Sequence, residues 1–187
     1  AMAFQWAPFA GGMLVYSRGL QGADGVFAIP VDSRLFAQEA VNITSDAAGS
    51  VAVRFGDGGW GAAWLARDPD GQSNLTFALL DENGGVLGTQ SRVANGGVGP
   101  LAMAYGQGAF AIAWSRVLDG SIPKPYLTLL EAGGDVIGTP PIPGPVNMGL
   151  AHDITWIGAA GFAVAWIGTL EDGRTQVGVS RISTIGV

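Results

Sequence analysis

Gly61-Ala62-Ala63-Trp64, Ala111-Ile112-Ala113-Trp114 and Ala163-Val164-Ala165-Trp166 are three spellings of one tetrapeptide, and Met13-Leu14-Val15-Tyr16 is a fourth that closes on tyrosine. The aromatic anchors stand at 16, 64, 114 and 166, in steps of 48, 50 and 52 residues. A period of this length marks a fold built from repeated supersecondary units, and its unevenness excludes a rigid solenoid.

The register spreads outward from the anchors. A short run begins thirteen residues before each: Ala3 to Ala7, Val51 to Phe55, Leu101 to Tyr105 and Asp153 to Ile157. Gly12, Trp60, Phe110 and Phe162 share one column just before the second run. An Asp-Gly pair follows each anchor, at Asp24, Asp70, Asp119 and Asp172. A third run comes next: Val26 to Val31, Leu75 to Leu80, Tyr126 to Leu130 and Gln176 to Ile182. Two repeats then share a corner, Asn83-Gly84-Gly85-Val86-Leu87-Gly88-Thr89 and Gly133-Gly134-Asp135-Val136-Ile137-Gly138-Thr139. Asp-Gly and Gly-Gly suit tight hairpins because such turns need positive φ. Each repeat therefore reads as strand a, Gly turn, strand b, Asp-Gly turn, strand c, Gly-Gly turn, strand d.

Four antiparallel strands repeated at this period predict a β-propeller of four four-stranded blades, roughly 3–50, 51–100, 101–152 and 153–187, in a single domain. The run Thr139-Pro140-Pro141-Ile142-Pro143 suits an outer edge strand, since proline cannot donate to a ladder. Pro30 falls inside a third run, and nothing in the sequence accounts for it. Too few residues follow Ile182 for a full fourth strand. The last blade is thus incomplete, and the chain is either a small closed propeller or part of a larger one. An unpaired edge around Val177 to Ile182 would recruit a partner, giving self-association or a larger ring.

Composition narrows the function. Of 187 residues, 48% are hydrophobic and only 13% charged, which excludes disorder. Net charge is −6 and the nine basic residues are scattered, so nucleic acid is not a partner. No apolar run reaches the length needed to span a bilayer. The start, Ala1-Met2-Ala3, carries no visible signal peptide. With no cysteine there is no disulfide, thiol catalysis or cysteine-ligated zinc, and no cofactor is expected.

The pattern resembles the degenerate propeller repeats of bacterial secreted or surface proteins. Four blades in this length also resemble the hemopexin-type size, without its disulfide. The Gly-His and Trp-Asp marks of WD40 blades are missing, as is a sialidase-type Asp-box. Kelch blades pair their glycines after the second strand, whereas here they precede the fourth. The resemblance implies an extracytoplasmic bacterial protein.

Candidate functional residues follow from the blade geometry. The b–c and d–a loops share one rim, which carries Arg18, Arg67, Arg116, Asp70 and Asp119 at recurrent positions. Mixed charge on loops held by rigid strands suits a polar ligand, a glycan or a protein. Trp6 and Trp156 share a strand-a column with Arg54 and Ala104, which makes a stacking platform near the axis a second candidate. The anchors Tyr16, Trp64, Trp114 and Trp166 read as core. Asp68-Pro69-Asp70-Gly71-Gln72-Ser73-Asn74 alternates oxygen ligands as calcium loops do, but Leu79 stands where the bidentate Glu belongs. His152, the one histidine, lies beside Asp153 without an identifiable nucleophile. Asn42-Ile43-Thr44 and Asn74-Leu75-Thr76 match the glycosylation pattern. Inner-strand acids are few, Asp57 and Asp153. The expected function is a non-catalytic binding module. The alternatives are a propeller glycosidase or other hydrolase, and a structural spacer.

Overall fold

A computed structural model describes residues 1–8, 10–18, 24–46, 48–68, 72–117, 123–143, 148–170 and 172–183. Among these residues fifteen strands form four antiparallel meanders. Blade one is β1 (Met2–Ala7), β2 (Gly11–Arg18), β3 (Gly25–Val31) and β4 (Val41–Thr44). Blade two is β5 (Ala48–Gly56), β6 (Gly59–Arg67), β7 (Ser73–Leu80) and β8 (Val86–Asn95). Blade three is β9 (Gly97–Gly106), β10 (Ala109–Arg116), β11 (Lys124–Glu131) and β12 (Val136–Gly138). Blade four has β13 (Met148–Trp156), β14 (Phe162–Thr169) and β15 (Thr175–Ile182), and its sheet is three-stranded. The only helical segment among the described residues is a 3-10 turn over Gly158–Ala160.

Blades pack face to face, and each seam has its own apolar cluster. Val15, Val26 and Ala28 of blade one meet Val53, Trp60 and Trp64 of blade two. Leu65, Leu75 and Phe77 of blade two meet Met103, Phe110 and Trp114 of blade three. Ala113, Leu127 and Leu129 of blade three meet Ile154, Phe162 and Trp166 of blade four. The a strands touch in series, β1 on β5, β5 on β9 and β9 on β13, which makes them the innermost.

The anchors on the second, third and fourth blades are buried because each faces the blade before it. Tyr16 is only half-buried, stacked on Phe27 at 5.3 Å, because no blade among the described residues packs on its face of blade one. A hydroxyl on strand c receives the indole N–H in two blades: Trp114 Nε1 donates to Thr128 Oγ1 at 2.9 Å and Trp166 Nε1 to Ser180 Oγ at 3.0 Å.

Three details differ from the sequence reading. Strand a begins earlier in blades two to four, at residues 48, 97 and 148, because β-bulges admit residues outside the apolar run. Pro100 consequently lies inside β9, at the irregularity between the pairs Ala113–Ala102 and Ser115–Val98. Pro30 also finds its reason. Its carbonyl accepts from Gln38 N at 2.8 Å, so its missing N–H faces the same outer side, beyond the β3–β4 ladder. Pro125 repeats this, its carbonyl accepting from Ile142 N at 3.0 Å.

Candidate functional site

Arg18, Arg67 and Arg116 each end a b strand, so the fold brings them to one rim. Arg18 and Arg67 are exposed and Arg116 is half-buried. Asp70 and Asp119 lie outside the described residues. The d–a connections arrive at the same rim, as the glycine-rich starts of β5 and β9. Between blades two and three they enclose a cleft of about 580 Å³ lined by Ser50, Leu65, Arg67, Ser73 and Gly97 to Gly99. Ser50 Oγ donates to Gly99 O at 2.7 Å across its base. Leu65 closes the inner wall: a Cβ on Gly97 would stand 2.4 Å from its terminal methyl, so a larger residue there would displace the leucine side chain.

A neighbouring cleft of about 650 Å³ is lined by Arg92, Asn95, Trp114, Arg116, Tyr126 and Thr139. Sequence reasoning missed Arg92, because strand d carries no aromatic anchor to fix its register. The Arg92 guanidinium pairs with Asp68 at 3.0 Å and donates to Asn74 Oδ1 at 2.5 Å and Asn95 Oδ1 at 2.8 Å. Asp68 and Asn74, read as possible calcium ligands, thus hold a guanidinium. Among the described residues no group of three or more metal-ligating side chains occurs. Asn74 is 1% exposed, which removes it as a glycosylation acceptor, while Asn42 is exposed. Arg116 lies along Gly96, and its Nε is enclosed without a hydrogen-bond partner. In this cleft the half-buried Tyr126 packs on the fully buried Trp114 at 5.5 Å, so the accessible aromatic surface beside the arginines is that of Tyr126.

Trp6 and Trp156 sit at the other end of strand a, beside the a–b turns, so they share no site with the arginines. Their column also needs correction. Trp6, Phe55, Tyr105 and Trp156 oppose Gly12, Trp60, Phe110 and Phe162, so Arg54 and Ala104 belong one place earlier. The reason is turn length: two residues join the hairpin in blades two and three, three in blade one and five in blade four. Trp156 packs edge-on against Phe162 at 4.9 Å and against Gly106 of blade three. Tyr105 packs on Gly56 of blade two in the same way. Burial, and then the nearby Asp57 carboxylate, hold the Tyr105 phenol above its ordinary pKa. Asp57 acts on it electrostatically, although the phenol oxygen has no partner in bonding geometry.

At the innermost strands, Arg54 Nη1 donates to Gln5 Oε1 at 2.8 Å, joining blades one and two. Asp153 and His152 are exposed at a bulge in β13, and Asp153 Oδ1 accepts from Ile154 N at 2.8 Å. Asp57 is exposed in the β5–β6 turn.

No family model matches this sequence, and no curated protein resembles it. Solved structures do resemble the fold. A thermostable family-43 glycoside hydrolase is similar with a TM-score of 0.62 at 12% identity, over 100% of this chain and 72% of that one. An alpha-L-arabinofuranosidase from Lactobacillus brevis has a TM-score of 0.55 at 10% identity, over 95% of this chain and 70% of that one. An endo-arabinase from Bacteroides thetaiotaomicron has a TM-score of 0.55 at 11% identity, over 95% and 73%. At these identities the likeness establishes the all-β propeller fold. No helix among the described residues is long and apolar enough to cross a membrane.

Proposed function

We propose that this chain is a carbohydrate-active propeller, of the kind that hydrolyses plant-type polysaccharides outside the cytoplasm. The observation that carries the reading is the likeness of nearly the whole chain to three propellers whose names are glycosidases. This places the glycosidase reading ahead of the non-catalytic module expected from the sequence. Glycoside hydrolysis needs two carboxylates flanking the scissile bond. Asp57 and Asp153 are the acids nearest the inner strands and are assigned here as the first to test.

The test is release of reducing sugar from arabinan, arabinoxylan and xylan, and of nitrophenol from the aryl arabinofuranoside. Activity should fall by two orders of magnitude or more in Asp153→Asn or Asp57→Asn, the scale of a lost acid or base. A second reading is favoured by the scarcity of acids on the described inner strands and by the tie between Arg54 and Gln5. In it the protein retains glycans without cleaving them, through the rim of Arg67 and Arg116. Retardation in glycan-loaded gels without sugar release, relieved by Arg116→Ala, would select this reading. Neither turnover nor retardation on any of these polysaccharides would remove both.

A further inference from the structure

The alternation of side chains along a strand sorts the rim arginines by the seam each one faces. Trp64 and Trp114 face the preceding blade. Arg67 stands three residues after Trp64, so it points the other way, toward blade three, and lines a cleft with Gly97 to Gly99. Arg116 stands two residues after Trp114, so it points back toward blade two, along Gly96 and beside Arg92 and Asn95. The seam between blades two and three therefore receives an arginine from each side. Ala66 holds the place of Arg116 in the seam before it. Val117 and Gly168 hold the two places in the seam after it.

This seam gathers positive charge on a chain of net charge −6. Arg92 is balanced there by Asp68, and its donors are turned to Asn74 and Asn95. Among the described residues the ion pairs are those of Arg92 and Arg174, so neither Arg67 nor Arg116 has a carboxylate of its own. The Nε of Arg116 is enclosed without an acceptor. A charged donor in that position is costly to the folded state, and an incoming anion relieves it. The guanidinium fork matches a carboxylate in shape and charge. Beside it stands the accessible face of Tyr126. A fork next to an aromatic face suits a ring that bears a carboxylate.

We infer, on the carbohydrate reading proposed above, that the outer part of this seam is a subsite for an acidic sugar, a hexuronate residue within a polysaccharide. Its carboxylate lies on Arg116, its ring lies against Tyr126, and the chain continues past Arg67. Gly96 lies along Arg116 and Gly97 lines the cleft of Arg67, so the two clefts adjoin. Asp57, in the β5–β6 turn, lies at the other end of these strands. The subsite therefore holds a glycan and does not itself cut it.

The test is retardation in native gels loaded with polygalacturonate, with its fully methyl-esterified form, or with dextran sulfate. Arabinan and arabinoxylan are run in parallel, with sugar release measured. An acidic protein has no general attraction for a polyanion, so retention reports a local site. Polygalacturonate should retard the protein, and the methyl ester, which keeps the backbone and loses the charge, should not. Arg116→Ala should weaken retention about tenfold or more, as loss of a charge-assisted fork does. Arg116→Lys should weaken it nearly as much, since lysine keeps the charge without the fork. Arg67 is exposed, so Arg67→Ala keeps the fold and should weaken retention several-fold. Arg34→Ala, an exposed arginine of the β3–β4 connection, should leave it unchanged. Equal retention by the methyl ester or by dextran sulfate would overturn the subsite, as would retention that survives both Arg116→Ala and Arg67→Ala. If arabinan is cleaved or retards the protein while polygalacturonate does not, the subsite falls and the carbohydrate reading stands. If no glycan is cleaved or retained, both fall.

Discussion

Trp64 differs from its two counterparts by a single missing oxygen. Trp114 and Trp166 find Thr128 and Ser180 fourteen positions on; the same step from Trp64 reaches Ala78. Its Nε1 is accordingly buried with no partner, a state costing about 1–3 kcal/mol. Ala78→Ser should raise stability by about 1 kcal/mol, and Ser180→Ala should lower it by a similar or larger amount. Chemical denaturation of the two variants measures both, and a destabilised Ala78→Ser would mean that the packed seam leaves no room for the hydroxyl. Tyr105 makes a second prediction at this scale. Its phenol is held above the ordinary tyrosine value, mainly by burial, so the folded state resists ionisation that the unfolded chain undergoes. Stability is therefore unaffected below about pH 10, the unfolded value, and falls as pH rises from there through the folded value. Tyr105→Phe should flatten the part of that alkaline loss due to this residue, read as Tm against pH.

Among the elements, the hairpins decide what fits between blades. A Cβ on Gly106 would stand 2.2 Å from the Trp156 ring, yet its backbone is ordinary. The glycine is there for space alone. Gly106→Ala should cost roughly 1–3 kcal/mol through overpacking, and Trp156→Leu should recover part of it in the double variant. Additive losses in thermal melts would show that the two do not meet. These hairpins also mark where reading the sequence stops. Strands b and c are legible because anchors, alternating apolar residues and Asp-Gly turns agree on one register. The a–b turns are not, since Gly56-Asp57-Gly58-Gly59 offers several places to reverse the chain. One residue of ambiguity put Arg54 in the column that Phe55 occupies. The bulges that lengthen β5, β9 and β13 leave no mark either, because an inserted residue looks like loop until its pairing is known. Of the candidate site, the rim arginines were legible from their offset to the anchors, whereas Arg92 depends on strand-d pairing with no periodic signal.

Over the molecule as a whole, the extensive contacts between blades among the described residues join sequence neighbours, and no local pattern in the sequence distinguishes an end blade from a middle one. Val177 and Val179, exposed on blade four, read like any core pair of strand c. The ties Ser17–Gly49, Arg54–Gln5, Ser50–Gly99 and Ser115–Ala151 and the three apolar clusters are couplings between neighbouring units. The consequence is mechanical. A load applied to the two termini passes through the seams one after another, and among the described residues no extensive strand contact between the first and last blades shares it. Pulled in an optical trap, the chain should yield in steps of one blade, each releasing about 170 Å of contour for some fifty residues, and about 120–135 Å for the shorter fourth blade. The first step should come from blade four, which has a seam on one side and a three-stranded sheet. Extension in one all-or-none event would instead mean that the seams are stiffer than the blades they join.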